Sequence, residues 1–347
     1  MKITVGLGSE AEYERFVRAG ADEFFCGYVP YSWSRKYGTV MPLNRREVLC
    51  YNVQIGAFSE LEILAVMVKK YKKPVHLTFN SLYYIPEQYP EIAAIIRECM
   101  AIGFSSYIIA DPALLVYLRE QGVDCEVHLS GECGALNSEV VKALKELKLK
   151  RIIFPRKNTI REMESAIESC KMEKDPRMPE EFEAFALNEL CQFSGAFCNS
   201  LHCDEMGYLC RVPYRLGKRS TGQGEEEYSG KESGHGTGQD GYNGETCKDC
   251  ANESEYNSEQ SYCCDEDGYL CGQTGCGLCA LHSLQKSGIT NLKLVGRGNY
   301  IDHMEKDIRN LKKALEILEK TKTQEEYIHK MREALFPGGC SRVCYYL

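Results

Sequence analysis

Short runs of β-branched and aromatic residues alternate with amphipathic helical patterns along almost the whole chain, and this alternation limits the fold more than any other feature. It is typical of βα units that build a parallel sheet. Eight runs have the length and composition of strands: 2–6, 23–28, 75–79, 106–110, 125–129, 151–154, 182–187 and 291–295. Eight strands with intervening helices predict an α/β fold of the (β/α)8 TIM-barrel type, complete or distorted.

Residues that favour helix ends support this division. Ser9 is predicted to cap the first helix, with Glu12 at its third position as in a capping box, and Gly20 ends that helix. Pro112 suits the first turn of a later helix, and Asn137 suits the cap of another. A further long helical region is expected from residue 302 to about residue 335.

One segment breaks the alternation. Residues 217–262 are rich in Gly, Ser, Glu, Asn and Gln and contain almost no aliphatic side chains, which predicts a solvated, disordered insertion. The insertion separates residues 1–216, with seven barrel strands and the first clustered thiols, from residues 263–347, with the last strand and the C-terminal helices.

The number of cysteines, 19, points to metal or redox chemistry. The opening residues resemble a strand more than a signal peptide, and no apolar run is long enough to span a bilayer, so we expect a cytoplasmic protein without membrane insertion. Disulfides are rare in that compartment, which favours metal binding by the clustered thiols. Isolated thiols are expected to be small buried hydrophobes: Cys26, Cys50, Cys99, Cys125, Cys133 and Cys170.

The most closely spaced thiols follow the seventh predicted strand. Cys191, Cys198, Cys203 and Cys210 are separated by six, four and six residues, and Cys276 follows the insertion. Four thiolates suit a 4Fe-4S cluster or zinc. A gap of six residues is unusual for zinc, which prefers about two to four, so the spacing favours the cluster.

Whether a second metal is bound stays open. Cys247 and Cys250 have a zinc-like spacing, and Cys276 with Cys279 would complete a four-thiolate site. The C-terminal Cys340-Ser-Arg-Val-Cys344 either covers the site or is a reduced tail. The thiols that remain available for a second metal are Cys247, Cys250, Cys271, Cys279, Cys340 and Cys344.

Two blocks resemble peptidase family U32. The first matches the family signature, a Glu-x-Phe followed by two cysteines with six residues between them, through Glu183, Phe185, Cys191 and Cys198. The second, from Cys276 to the strand Lys293-Leu-Val-Gly-Arg297, is similar to the block that carries the family's last cluster cysteine. Departures from the family pattern are Asn188 and Glu189, in place of Gly and a small residue, Gly195, which is one position early, and Val295, in place of an acidic residue.

The resemblance implies both a cofactor and a choice of activities. Some family members are named collagenase-like peptidases, whereas others resemble oxygen-independent hydroxylases that act on ubiquinone precursors or on tRNA and rRNA bases and use a 4Fe-4S cluster. The implied cluster ligands are Cys191, Cys198, Cys210 and Cys276, with Cys203 as the alternative to Cys210. The implied partners are an organic substrate or RNA, and a heteromer with a second family member, in which this chain could be the non-catalytic subunit.

Polar residues near predicted strand ends complete the site prediction, because in a barrel such residues face the mouth where substrate binds. His128 is the first choice for an acid or base and Arg156 for an anion anchor. Asp111 and Glu183 complete the catalytic set, although Glu183 lies near the start of its strand and enters only through the family signature. The predicted substrate-binding residues are Asn80, Ser130, Lys293 and Arg297.

Two function classes are disfavoured. A net charge of -8 and a pI near 5.6 argue against a general nucleic-acid binder, although they do not exclude a local basic face. A peptidase needs an activated nucleophile or a metal-bound water, and the sequence contains neither a Gly-x-Ser-x-Gly nor a His-Glu-x-x-His motif.

Overall fold

The computed structural model describes residues 1–38, 40–45, 53–134, 137–191 and 268–346. Nine strands lie in these ranges, and all of them pair in parallel. They are β1 (Lys2–Gly6), β2 (Glu23–Tyr28), β3 (Gln54–Ile55), β4 (Val75–Phe79), β5 (Ser106–Ile109), β6 (Glu126–Leu129), β7 (Leu149–Ile153), β8 (Glu181–Leu187) and β9 (Asn291–Leu294).

Eight of these strands close into a barrel, which confirms the predicted (β/α)8 fold. The order around the barrel is β1, β9, β8, β7, β6, β5, β4 and β2, and β2 pairs with β1 to close the ring. The two-residue β3 extends the sheet beside the end of β2 and was not predicted. The predicted insertion at 217–262 lies outside the described residues.

Helices follow the strands as predicted, with one addition. The helices are α1 (Ala11–Ala19), α2 (Tyr31–Tyr37), α3 (Phe58–Tyr71), α4 (Gln88–Ala101), α5 (Pro112–Glu120), α6 (Ser138–Ala143), α7 (Ile160–Glu173), α8 (Leu281–Ser287), α9 (Ile301–Glu319) and α10 (Gln324–Leu335). The unpredicted one is α2. The long C-terminal helical region is two helices, because Thr323 caps α10 by accepting a hydrogen bond from the Glu326 N–H. In the described part of the chain, no helix is both long and apolar enough to cross a membrane.

The predicted cap of α1 is wrong, whereas other helix ends are confirmed. Glu10, not Ser9, occupies the cap position and makes no side-chain capping bond. The carboxylate of Glu12 instead accepts a hydrogen bond from the Gly8 N–H at 2.8 Å, so a side chain in the first turn of α1 stabilises the residues that precede the helix. Gly20 ends α1 with a φ of 115°, where glycine has no steric penalty.

The barrel separates two apolar regions. Outward-facing strand residues such as Ile3, Val5 and Leu77 pack with the surrounding helices in the main core. A second, smaller cluster contains Phe25, Ile108, Ile153, Phe185, Val295 and Tyr345. Ile108 and Phe185 lie one and two residues before the carboxyl ends of their strands, Ile153 ends β7, and Val295 directly follows β9. The cluster therefore forms the floor of the barrel mouth.

Candidate active site

A buried ionic network fills the barrel below this floor. Arg151 of β7 donates hydrogen bonds to Glu23 and Glu183 at 2.7 Å each, and its Nε donates to Glu181 at 2.8 Å. Lys293 of β9 donates to the other oxygen of Glu183 at 2.8 Å. Four strands are therefore tied together by charge inside the barrel, where a carboxylate without a cation would be unstable.

The cations keep the two innermost carboxyl groups ionised. Burial alone would raise the pKa of Glu183, but Lys293 and Arg151 outweigh it and lower that pKa to about 2. Burial opposes ionisation of Glu23 as well, and His76 and Arg151 lower the pKa of Glu23 far below its ordinary value. Glu183, predicted as catalytic from the family signature, thus lies in the network with no exposed surface.

Two histidines lie within this network. The Nδ1 of His76 is 2.5 Å from the hydroxyl of Ser106, and its Nε2 is 3.3 Å from Glu23. The ring of His128 lies 4.4 Å from that of His76, and its Nε2 is 3.0 Å from a carboxylate oxygen of Glu126. Among the described residues, the Nδ1 of His128 has no hydrogen-bond partner.

His128 is fully buried and does not face the open mouth. Burial, followed by the nearby His76 and Arg151, lowers the pKa of His128 well below its ordinary value, so the imidazole is neutral near pH 7. Its role as an acid or base stays a prediction, and in this geometry His128 is separated from solvent.

Two aromatic rings and several cations form the mouth. Arg297 extends across β1 and β2. A Cβ at Gly6 would lie 3.0 Å from the Cγ of Arg297, and a Cβ at Gly27 would lie 2.8 Å from its Nη1. Glycine at these two positions therefore leaves the space that this side chain occupies. The guanidinium of Arg297 is 5.8 Å and the ammonium of Lys293 is 3.8 Å from the centre of the Phe25 ring.

Arg156 lies on the other side of the mouth. Its guanidinium stacks 4.1 Å from the centre of the Phe185 ring, and its Nη1 donates to Glu132 at 3.3 Å. Arg45 approaches the second oxygen of Glu132 at 3.6 Å. The predicted anion anchor thus lies on an aromatic surface beside a second guanidinium, an arrangement that suits binding of a flat or anionic group.

Two predicted substrate-binding residues at strand ends also stabilise loops. The side-chain oxygen of Asn80, after β4, accepts a hydrogen bond from the Arg45 N–H at 3.1 Å. The hydroxyl of Ser130, after β6, accepts one from the Glu132 N–H at 3.2 Å. Because these loops carry Arg45 and Glu132, Asn80 and Ser130 position part of the mouth, and their contact with substrate stays a prediction.

Asp111 has a structural partner at each oxygen. One oxygen caps α5 by accepting from the Ala113 N–H at 2.8 Å, and the other accepts from the hydroxyl of Tyr89 at 3.2 Å. The side chain is buried. Capping accounts for its place after β5, and its catalytic role stays a prediction.

The two described members of the predicted cluster set lie on paired segments. Leu187 forms an antiparallel bridge with Cys276, and the Leu190 N–H donates to the Thr274 carbonyl at 2.8 Å. Cys191 therefore follows a segment that pairs with the one that carries Cys276. The remaining predicted ligands, Cys198 and Cys210, lie outside the described residues, as do four other thiols named above: Cys50, Cys203, Cys247 and Cys250.

The C-terminal segment packs against the same place. The Cys276 N–H donates to the Val343 carbonyl at 2.7 Å, and the Tyr345 N–H donates to the Cys276 carbonyl at 2.9 Å, which sets Cys344 beside Cys276. Arg332 contacts the sulfur of Cys279 at 3.5 Å. Within the described ranges, no three His, Cys, Asp or Glu side chains are arranged to hold a metal ion.

Two C-terminal tyrosines cover part of the mouth. The ring of Tyr345 stacks on Phe185 with 6.1 Å between centres, and its hydroxyl donates to the Asn188 carbonyl. The hydroxyl of Tyr346 donates to the Phe185 carbonyl at 2.8 Å. Of the two alternatives for the tail, this geometry favours the one in which it covers the site.

Sequence reasoning missed several residues that shape the site, among them Arg151, Glu23, His76, Asn291 and Tyr345. The first four had a recognisable signal, since each is a polar residue within a short apolar run. At alternate positions of a barrel strand such a residue points inward, and Asn291 there donates to Glu23 at 3.0 Å. Tyr345 carried no comparable signal.

Comparisons with known proteins identify the family. The family model described as peptidase family U32 matches residues 8–346. Among solved structures, the chain is similar to the U32 peptidase Mk0906, with 14% identity, 54% of this chain and 68% of that chain covered, and a TM-score of 0.40. It is also similar to 3-hexulose-6-phosphate synthase, with 9% identity, 90% and 99% coverage and a TM-score of 0.34.

A glycerophosphodiester phosphodiesterase from Parabacteroides distasonis is similar at 14% identity, with 54% of this chain and 85% of that chain covered and a TM-score of 0.35. At these TM-scores the structural likenesses bear on neither substrate nor mechanism. Among curated protein sequences no match was found. Because the family match runs from residue 8 to residue 346, the chain belongs to peptidase family U32.

Proposed function

We propose that this chain is an iron–sulfur protein that acts as an oxygen-independent hydroxylase or a related oxidoreductase on an organic small molecule or an RNA base. A 4Fe-4S cluster would be held by Cys191, Cys198, Cys210 and Cys276. The observation that carries the proposal is the pairing of the segment after β8 with the segment before α8. That pairing brings two segments that carry thiols to the same end of the barrel, beside Arg156.

The donor set suits iron and sulfide better than zinc. Four thiolates are the common ligands of a 4Fe-4S cluster. Leu187 and Cys276 are bridged, and Cys191 lies four residues after Leu187, so the two segments run together up to the start of the thiol-rich stretch. Structural zinc sites usually take paired ligands with about two to four residues between them, which Cys191 and Cys198 do not provide.

The cluster, when bound, would supply electron transfer next to the substrate. The chain's own residues bind and enclose that substrate. Arg156 and Arg297 provide positive charge at opposite sides of the mouth, and Phe25 and Phe185 provide flat apolar surfaces beneath them. Tyr345 shields Phe185 from water, which strengthens the electrostatic interactions in the mouth.

A peptidase is the second candidate, and one observation favours it. Ser106, His76 and Glu23 form a hydrogen-bonded series that resembles a nucleophile, a base and an orienting carboxylate. All three lie at the starts of their strands, the barrel end that usually serves stability, and each is at most 4% exposed. Glu23 is also held by Arg151. The series is therefore better explained as part of the ionic network.

Purification without air tests the cluster. We expect a brown protein with about four iron and four sulfide per chain. Cys191→Ser, Cys198→Ser and Cys276→Ser should each lose the visible absorbance, whereas the control Cys99→Ser, at a buried thiol in α4, should keep it. Comparing Cys203→Ser with Cys210→Ser identifies the third ligand. Zinc without iron in the anaerobic protein would refute the proposal.

An anaerobic assay against gelatin and casein separates hydroxylase from peptidase. We expect no cleavage by the cluster-containing protein. Cleavage that survives iron chelation and disappears in Ser106→Ala would establish the peptidase and assign Ser106 as its nucleophile. Cleavage that survives both treatments would exclude Ser106 as the nucleophile.

A further inference from the structure

Two consecutive residues after β8 have left-handed backbone conformations although neither is glycine. Asn188 has a φ of 67° and Glu189 a φ of 51°. Few non-glycine residues adopt such angles, and asparagine tolerates them better than most. Here the chain leaves the barrel wall and turns toward Cys191. Backbone conformations of this kind persist only where surrounding contacts hold them.

Buried contacts hold Asn188 from several sides. Its side-chain amide donates to a carboxylate oxygen of Asp307 in α9 at 2.7 Å and approaches the Val295 carbonyl at 3.3 Å. Its backbone N–H donates to the Gly275 carbonyl at 2.8 Å. Its carbonyl accepts the hydroxyl hydrogen bond of Tyr345. Asn188 and Asp307 are 6% and 4% exposed, so water does not replace these contacts.

Asp307 is itself fixed by a second donor. Its other oxygen accepts a hydrogen bond from the hydroxyl of Tyr269 at 2.7 Å, and that hydroxyl is also bonded by the amide of Asn310 at 3.0 Å. One carboxylate therefore joins α9, the segment after β8 and the segment before Cys271. A buried carboxylate with two donors has a defined position.

The turn at Asn188 and Glu189 sets the path of the next residues. The Glu189 N–H donates to the hydroxyl of Thr274 at 3.0 Å, and the Leu190 N–H donates to the carbonyl of the same residue at 2.8 Å. Cys191 follows directly. The position of its sulfur relative to Cys276 thus depends on the turn that Asp307 holds.

We propose that Asn188 and Asp307 are positioning residues for Cys191, and that their hydrogen bond sets the access and ligand geometry of this thiol. The part of the inference that concerns the cluster rests on the proposed function, whereas the part that concerns Cys191 itself does not. A donor–acceptor pair of this kind can be exchanged between its two positions. This exchange allows a test that separates the pair from general damage to the fold.

Three variants test the pair. Asn188→Asp replaces the amide donor to Asp307 with a second carboxyl group. Asp307→Asn removes the negative charge. The double exchange Asn188→Asp with Asp307→Asn restores one amide donor and one carboxylate acceptor, and leaves an oxygen for Tyr269. It does not replace the donor to the Val295 carbonyl, so we expect partial recovery. Asn299→Asp, at an exposed residue before α9, controls for the added charge.

The first measurement is the rate at which a chelator removes iron from the anaerobic protein, together with the electron paramagnetic resonance spectrum of the reduced cluster. Residues that orient metal ligands typically change metal affinity by roughly 10–100-fold. We expect Asn188→Asp to release iron about tenfold faster or more with an altered spectrum, and the double exchange to return both toward the wild type. An unchanged rate and spectrum in Asn188→Asp would overturn the inference.

The second measurement needs no cluster. In iron-free protein, alkylation of Cys191 by iodoacetamide is followed by peptide mass spectrometry, with Cys279 as the internal reference. We expect Asn188→Asp to change the Cys191 rate several-fold and the double exchange to reverse part of that change, while the Cys279 rate stays constant. Equal changes at both thiols, or no restoration, would mean that the pair stabilises the fold without positioning Cys191. Absence of iron from the wild type would refute the proposed function and leave this result unaffected.

Discussion

Arg151→Met tests the ionic network that fills the barrel. The substitution keeps an apolar stem and removes the guanidinium, which leaves Glu23 and Glu183, at 4% and 0% side-chain exposure, with fewer partners. Breaking a buried ion pair by removing one partner costs about 3–5 kcal/mol. Lys293 stays beside Glu183 and Lys2 stays beside Glu23, so we expect a loss within that range.

The loss should depend on pH in a defined direction. In the wild type the pKa of Glu183 is about 2, below the ordinary value for a glutamate. Ionised Glu183 therefore contributes its full stabilisation at pH values above the ordinary glutamate pKa, and this contribution is lost as the pH falls toward 2. Without Arg151, burial weighs more heavily and the pKa rises. The difference in unfolding free energy between wild type and variant should therefore be constant near neutral pH and shrink below about pH 5.

Urea denaturation followed by the fluorescence of Trp33 measures this difference. Trp33 is the only tryptophan and is 2% exposed in the native state, so its emission reports unfolding. Arg177→Met is the matched control, because Arg177 pairs with Asp175 on the surface, where screening by water leaves little to lose. A loss below about 1 kcal/mol, or a loss that does not change between pH 7 and pH 3, would refute the assignment of a buried network.

Three further predictions concern the mouth and the core. Gly131→Ala should lower the free energy of unfolding by about 1–3 kcal/mol in the same assay, because a Cβ would lie 3.0 Å from a backbone carbonyl oxygen. The control Gly56→Ala, with no atom within 4 Å of the new Cβ, should leave the stability unchanged, and equal effects would contradict the packing of the Gly131 loop. Tyr346→Phe should lower the free energy of unfolding by about 1–3 kcal/mol, because the Phe185 carbonyl loses a hydrogen-bond donor. An unchanged unfolding midpoint would show that this contact of the C-terminal segment does not stabilise the mouth. Burial raises the pKa of Cys99 to about 12, so it should resist alkylation at pH 8 until the protein is denatured, and labelling of native protein at Cys99 would show that α4 opens.

The barrel could be predicted because its signals are local. Each strand is a short apolar run, and the boundaries of β1, β2 and β4 match the predicted limits. The two elements that were not predicted lack such a signal. The strand β3 has only two residues, and α2 has a single buried side chain, Trp33, so neither shows a periodic apolar pattern.

The candidate site was less predictable because its contacts join distant parts of the chain. Arg156 and Arg297 were chosen because they follow predicted strands, and the direction of a parallel strand fixes where its carboxyl end lies. Their roles in substrate binding stay predictions. Strand ends did not distinguish residues that face the mouth from residues that stabilise loops. Asp111 shows the limit, because a carboxylate after a strand and before Pro112 suits a helix cap as well as a catalyst.

The departure from the family signature at positions 188 and 189 illustrates how backbone geometry links sequence to site. Where the family pattern described above has Gly and a small residue, Asn188 and Glu189 of this chain both have a positive φ. Asparagine can replace glycine at the first position because Asp307 and Tyr345 hold its side chain and carbonyl. The conformation that glycine would adopt without strain is therefore maintained by tertiary contacts.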